Sequence, residues 1–107
     1  MKYYTSLDQS KRLIDLGIDT SAADMYFGSD DLIIPAPPRE SDVTPAWSLA
    51  SLIGFLPKLK GEYPKYHRNP DGKYVSYSDT LRVMTSSHEE LIDAIVEMME
   101  WCLKHDY

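Results

Sequence analysis

The closing stretch, "SSHEELIDAIVEMMEWCLKH" (residues 86–105), restricts the fold of this chain more than any other. On a helical wheel Leu91, Ile92, Ala94, Ile95, Val96, Met98, Met99, Trp101, Cys102 and Leu103 occupy about two-thirds of the circumference, and Glu89, Glu90, Asp93, Glu97, Glu100 and Lys104 fill the narrow remainder. A helix lying on one face of a small sheet needs an apolar arc of only somewhat more than about 100°. This helix must therefore be covered from two sides, the second cover being either another helix of the chain or the equivalent surface of a second copy. In a homodimer the residues expected to carry self-association are Val96, Met99, Trp101 and Leu103. Ser87 and Glu90 have the spacing of a capping box, and acids in the first turn with Lys104 and His105 in the last suit the helix dipole.

Two shorter helices are expected upstream. In "TSLDQSKRLIDLG" (5–17) either Thr5 with Asp8 or Ser6 with Gln9 can cap the start, Leu7, Ser10, Leu13 and Ile14 fall on one side, and Gly17 can take the left-handed conformation that ends a helix. Asp19 or Thr20 can cap a further short turn. In "PAWSLASLIGFLP" (45–57), Leu49, Leu52, Ile53 and Leu56 recur at helical spacing behind Ser48, or behind Thr44 with Pro45 in the first turn. Pro57 stops that helix at Leu56, and Trp47 is expected to anchor the chain where it meets the core.

The remainder has a different period. "DLII" reads as a short strand, and the proline segment between Pro35 and Pro45 as an extended surface connection, since proline can neither continue a helix nor sit in a central strand. Residues 63–85 read as a three-stranded meander. "YPKYHR" and "KYVSY" flank the turn "NPDG", with Pro70 at the first corner and Gly72 at a positive φ, and "SDT" turns into "LRVMT", where Leu81, Val83 and Thr85 share one face. The expectation is a single α+β domain over residues 1–107: a small antiparallel sheet of three or four strands packed on the long C-terminal helix, with the N-terminal and central helices beside it.

Composition narrows the function. The chain of 107 residues has a formal charge of −6, which opposes general affinity for a phosphate backbone and makes nucleic acid an unfavoured partner. The charge is uneven, however. Lys58, Lys60, Lys65, Arg68 and Lys73 face only Glu62 and Asp71 in the middle of the chain, whereas the last helix is acidic. A single cysteine, Cys102, excludes an internal disulfide and suits a reducing compartment. No secretory leader or membrane-length apolar run is evident, so a cytoplasmic protein with no membrane partner is expected.

Catalytic patterns are missing. His67, His88 and His105 are isolated, and "HEELI" carries Ile92 where a zinc-protease helix needs its second histidine. Asp30 and Asp31 are neighbours with no paired acid, Cys102 lies in the apolar arc where a thiol is inert, and the glycines are too scattered to cradle a phosphate. "PAPPR" has the proline spacing that SH3 modules read but suits a plain linker. No catalytic residue, cofactor or metal is therefore expected. The hairpin is more suggestive. Tyr63, Tyr66, Tyr74 and Tyr77 interleave with Lys65, His67, Arg68 and Lys73, a combination that can grip an acidic partner or stack single-stranded bases, although strand propensity by itself favours tyrosine there. The acidic strip of the last helix is a second candidate surface, for a basic partner.

Three pieces, "YYTSLDQSKRLIDLGIDTSAADM", "PAWSLASLIGFLP" and "HEELIDAIVEMMEWCL", together resemble a group of small proteins of Bacteroides-type gut bacteria often associated with prophages and mobile elements. The resemblance implies a compact α+β domain and brings no catalytic residues with it. The functional expectation is a non-enzymatic interaction or accessory module with an unknown protein partner. The alternative is a nucleic-acid or phosphate-ligand binder that uses the hairpin at residues 63–77.

Overall fold

Local signals for the first two helices act as expected. In the computed structural model, which describes residues 2–28, 33–34 and 44–105, the first helix, α1, spans Leu7–Asp15. Ser6 is its cap: the Ser6 side chain accepts from the Gln9 amide and the Gln9 side chain accepts from the Ser6 amide, so two otherwise unpaired donors are satisfied. Thr5, the alternative cap, is instead buried. Gly17 at φ +93° turns the chain out of the helix. Asp19 caps a single 3-10 turn, Thr20–Ala22, by accepting from the Ser21 amide.

Three short strands follow, β1 (Met25–Phe27), β2 (Ile33–Ile34) and β3 (Thr44–Ala46), which form an antiparallel sheet in the order β2-β1-β3. Pro45 is accommodated because β3 is an edge strand. The second helix, α2 (Leu49–Phe55), takes Ser48 as its cap, the Ser48 side chain accepting from the Ser51 amide and donating to Asp24. Next come β4 (Lys65–Arg68), β5 (Tyr74–Ser78) and β6 (Val83–Met84), a second antiparallel sheet in meander order, with Gly72 at φ +87° in the tight turn. The last helix, α3, spans Leu91–Lys104.

Two features differ from the sequence reading. The strands make two sheets of three rather than one, because Met25–Phe27 and Thr44–Ala46 are too short to show a period-two pattern and Pro45 masks the second of them. Moreover, α3 begins at Leu91, one turn later than a Ser87 cap implies, and Glu90 at its cap makes no side-chain cap bond. Residue 88 is held extended by two backbone bonds with Tyr74, His88 N–H to Tyr74 O at 2.9 Å and Tyr74 N–H to His88 O at 2.6 Å. Ser87 cannot lead directly into a helix from there.

The core explains the width of the apolar arc. Leu13 and Ile18, then Trp47, Leu52, Leu56 and Leu59, join Leu91, Ile92, Ile95, Val96, Met98, Met99 and Cys102 in one buried cluster. α3 contacts β5 on one side and α2 and α1 on others. The second cover is thus supplied by the chain's own helices. Trp47 is fully buried, and its indole N–H finds no acceptor among the described residues.

Candidate functional site

The polar strip of α3 is a seam. Glu90 accepts from the Lys2 amide at 2.9 Å, Asp93 from Lys2 Nζ at 2.9 Å and Gln9 Nε2 at 2.6 Å, and Glu100 from Arg12 Nε at 3.2 Å. The strip expected to offer a docking surface for a basic partner is therefore engaged by α1 and the segment before it. Burial would raise the carboxyl of Asp93, but the bonds from Lys2 and Gln9 and the Lys2 charge outweigh it, and Asp93 sits below the usual carboxylate range.

Glu97, one turn further, closes a cluster that sequence reasoning missed. It accepts from the Ser86 amide at 2.7 Å, from Ser86 Oγ and from His88 Nε2 at 2.8 Å, and Ser86 Oγ lies 3.3 Å from the same His88 nitrogen. Burial opposes ionisation of Glu97, while the Ser86 and His88 bonds prevail and lower its pKa. A serine, a histidine and a carboxylate suggest a relay, but a relay needs the hydroxyl and the carboxylate on opposite ring nitrogens. Here both meet Nε2, and the serine donates directly to the carboxylate. The geometry makes a clasp that ties the chain before α3 to the helix. Only the alternation of Ser86 and His88 hinted at it, and nothing in the sequence pointed to Glu97.

Of the residues expected to support self-association, Val96 and Met99 are each 1% exposed within the chain's own core. Trp101 and Leu103 are half-buried against the same cluster, and the Trp101 ring stacks on His105 with centroids 4.2 Å apart. Cys102 is buried, which pushes its thiol up to about 11. Asp30, Asp31 and the segment from Pro35 to Val43 lie outside the described residues. Among the described residues no three His, Cys, Asp or Glu side chains converge as metal ligands.

The hairpin is where exposed chemistry gathers. All four residues of β4, Lys65, Tyr66, His67 and Arg68, are exposed, with Tyr66 at 45% and the preceding Tyr63 at 56%. Pairing is Lys65 with Tyr77, Tyr66 with Ser76, His67 with Val75 and Arg68 with Tyr74. Cross-strand partners share a face, so Tyr66 and Arg68 lie on the Tyr74 side and Lys65 and His67 on the other. Tyr74 packs against the core cluster, whereas Tyr66, one strand further out, is exposed. Arg68 reaches the Tyr74 ring at 5.8 Å and the Gly72 carbonyl at 3.3 Å, Lys58 lies 5.5 Å over the Tyr63 ring, and His67 meets the Tyr77 ring edge-on at 5.3 Å. Lys65 pairs loosely with Asp79 at 3.7 Å, and Lys73 is exposed. The expected binding residues are thus brought onto one ribbon, but Tyr74 and Tyr77 are half-buried and not free platforms.

The described residues also line hollows, one of them beside the ribbon at Tyr77. One of about 510 Å³ is lined by Lys2, Tyr3, Tyr4, Ser6, Leu7 and Phe27, and one of about 240 Å³ by Tyr77, Ser78, Asp79, Arg82, Val83 and Met84. Neither gathers an acid-base pair of the kind hydrolysis or proton transfer requires. No helix among the described residues is long and apolar enough to cross a membrane. No family model, curated protein or solved structure matches this chain.

Proposed function

We propose that the protein is a non-enzymatic, cytoplasmic interaction module whose contact surface is the β4–β5 ribbon. The observation that carries this reading is the exposure of every residue of β4, which sets Lys65, Tyr66, His67 and Arg68 together on the outer strand of a hydrogen-bonded pair. Tyrosine and arginine are among the residue types enriched in protein contacts, and a sheet holds them at fixed spacing. The cytoplasmic assignment is supported by one buried, unpaired cysteine. An accessory role in a prophage or mobile element accords with the resemblance of the N-terminal, central and C-terminal segments.

The nucleic-acid reading has one observation in its favour, the excess of cations at Lys65, Arg68 and Lys73 on the ribbon and at Lys58 and Lys60 in the segment before it. The two readings separate in one comparison. Partners captured by the wild-type chain and lost by Lys65→Glu/Arg68→Glu, but retained by Lys11→Glu on α1, support the interaction module. Capture of the same partners by all three chains removes it. Binding of single-stranded oligothymidylate that weakens steeply with salt supports the alternative instead.

A further inference from the structure

Among the described residues β4 is an edge strand of the ribbon, and its backbone polarity can be read from neighbouring bonds. Tyr74 exchanges both backbone bonds with His88, and the Ser76 carbonyl accepts from the Thr85 amide at 2.9 Å, so residues 74 and 76 direct their peptide groups away from β4. Alternation along an antiparallel ladder then directs Val75 and Tyr77 toward His67 and Lys65. Tyr66 and Arg68 are left with their N–H and C=O groups on the outer edge, where the described residues place no further strand.

From this we infer that β4 takes an extended, acidic segment of a partner protein by strand addition, with the Tyr66 and Arg68 backbones making the new ladder. The inference rests on the reading of the ribbon as the contact surface. Lys65 and Arg68 are three residues apart and so lie on opposite faces, about 10 Å apart along the strand. A partner strand that carries carboxylates three residues apart meets both cations at once. A second copy of this chain is the wrong occupant. Pairing β4 with itself sets Lys65, His67 and Arg68 against the same residues of the copy, and cations on an edge strand oppose such self-pairing. A nucleic acid is also less suited. It has no backbone donors with which to extend a ladder and relies on free cations and open rings, whereas Asp71, Asp79 and Glu62 interrupt the cations and Tyr74 and Tyr77 are partly covered.

The test is an amide-resolved NMR titration of the full chain with three probes: the capped peptide Thr-Glu-Val-Thr-Glu-Val, the same peptide N-methylated along its backbone, and oligothymidylate. The expected result is selective shifts and slowed hydrogen exchange at the Tyr66 and Arg68 amides with the first probe, loss of both on N-methylation, and weakening of roughly tenfold in Lys65→Glu/Arg68→Glu. Those two side chains are exposed, and the amide spectrum of the variant confirms its fold. Equal binding of the peptide and its N-methylated twin overturns strand addition but leaves the ribbon as a charge-reading surface. Binding of oligothymidylate in place of the peptide overturns strand addition and moves the ribbon to the nucleic-acid reading. Unmoved amides across 63–77 with every probe overturn both inferences.

Discussion

Thr5 joins the N-terminal segment to the start of α2 through one hydroxyl. Its Oγ1 accepts from the Trp47 amide at 3.1 Å and lies 2.8 Å from Ser10 Oγ, which itself donates to the Ser6 carbonyl at 2.8 Å. The Thr5 hydroxyl must therefore donate to Ser10, and both side chains are fully buried. Thr5→Val keeps the shape and deletes both bonds. Leaving the Trp47 amide without its side-chain acceptor in a closed site costs about 1–3 kcal/mol, and loss of the bond to Ser10 adds roughly 0.5–1.5 kcal/mol. For a domain of this size a loss of about 2–4 kcal/mol lowers the thermal midpoint by on the order of 10–20 °C. Urea unfolding followed by tryptophan fluorescence measures it, and Thr5→Ser, which keeps the hydroxyl and drops a methyl, should lose only about 1 kcal/mol. Combining Thr5→Val with Ser10→Ala should cost less than the sum of the two single changes, because they share a bond. If Thr5→Val lay within about 0.5 kcal/mol of wild type, or Thr5→Ser were the worse variant, the hydroxyl would not be the tie described.

Asp93 and Glu97 have folded pKa values below those of free carboxylates, so the unfolded chain binds more protons across that interval. Their contribution is present above the ordinary carboxylate range and lost as pH falls through the depressed values; urea midpoints taken against pH should show this, with a flatter acid limb in Asp93→Asn and Glu97→Gln. Met99→Ala should lose about 2–5 kcal/mol in urea unfolding by opening a cavity in the core, and the mass measured by light scattering should not change. An unaltered midpoint with an altered mass would show that Met99 packs between chains. Cys102 should resist a thiol reagent at neutral pH in the native chain and react fully in denaturant, since it is buried and its thiol is pushed up to about 11. Prompt labelling of the folded protein would mean that the C-terminal turns of α3 open.

Local chemistry made much of this fold legible. The Ser6–Gln9 box, the Ser48 cap, Gly17, the Asn69–Gly72 turn and the broad arc of α3 each depend on residues within a turn or two of one another, and sterics and periodicity act at that range. The α+β class and the position of the tyrosine ribbon followed from them. Tertiary contacts decided the rest. Whether Val96 and Met99 face a second copy or the chain's own α1 and α2 is a question of where distant segments pack, which a wheel does not contain. The acidic strip appeared solvent-facing until Lys2, Gln9 and Arg12, more than 80 positions away, were seen to satisfy it. The delayed start of α3 and the Ser86–His88–Glu97 clasp arise from a backbone bridge to β5. The open edge at Tyr66 and Arg68 likewise depends on which neighbour binds the other side of β5, because strand polarity is a property of the ladder and not of any residue in it.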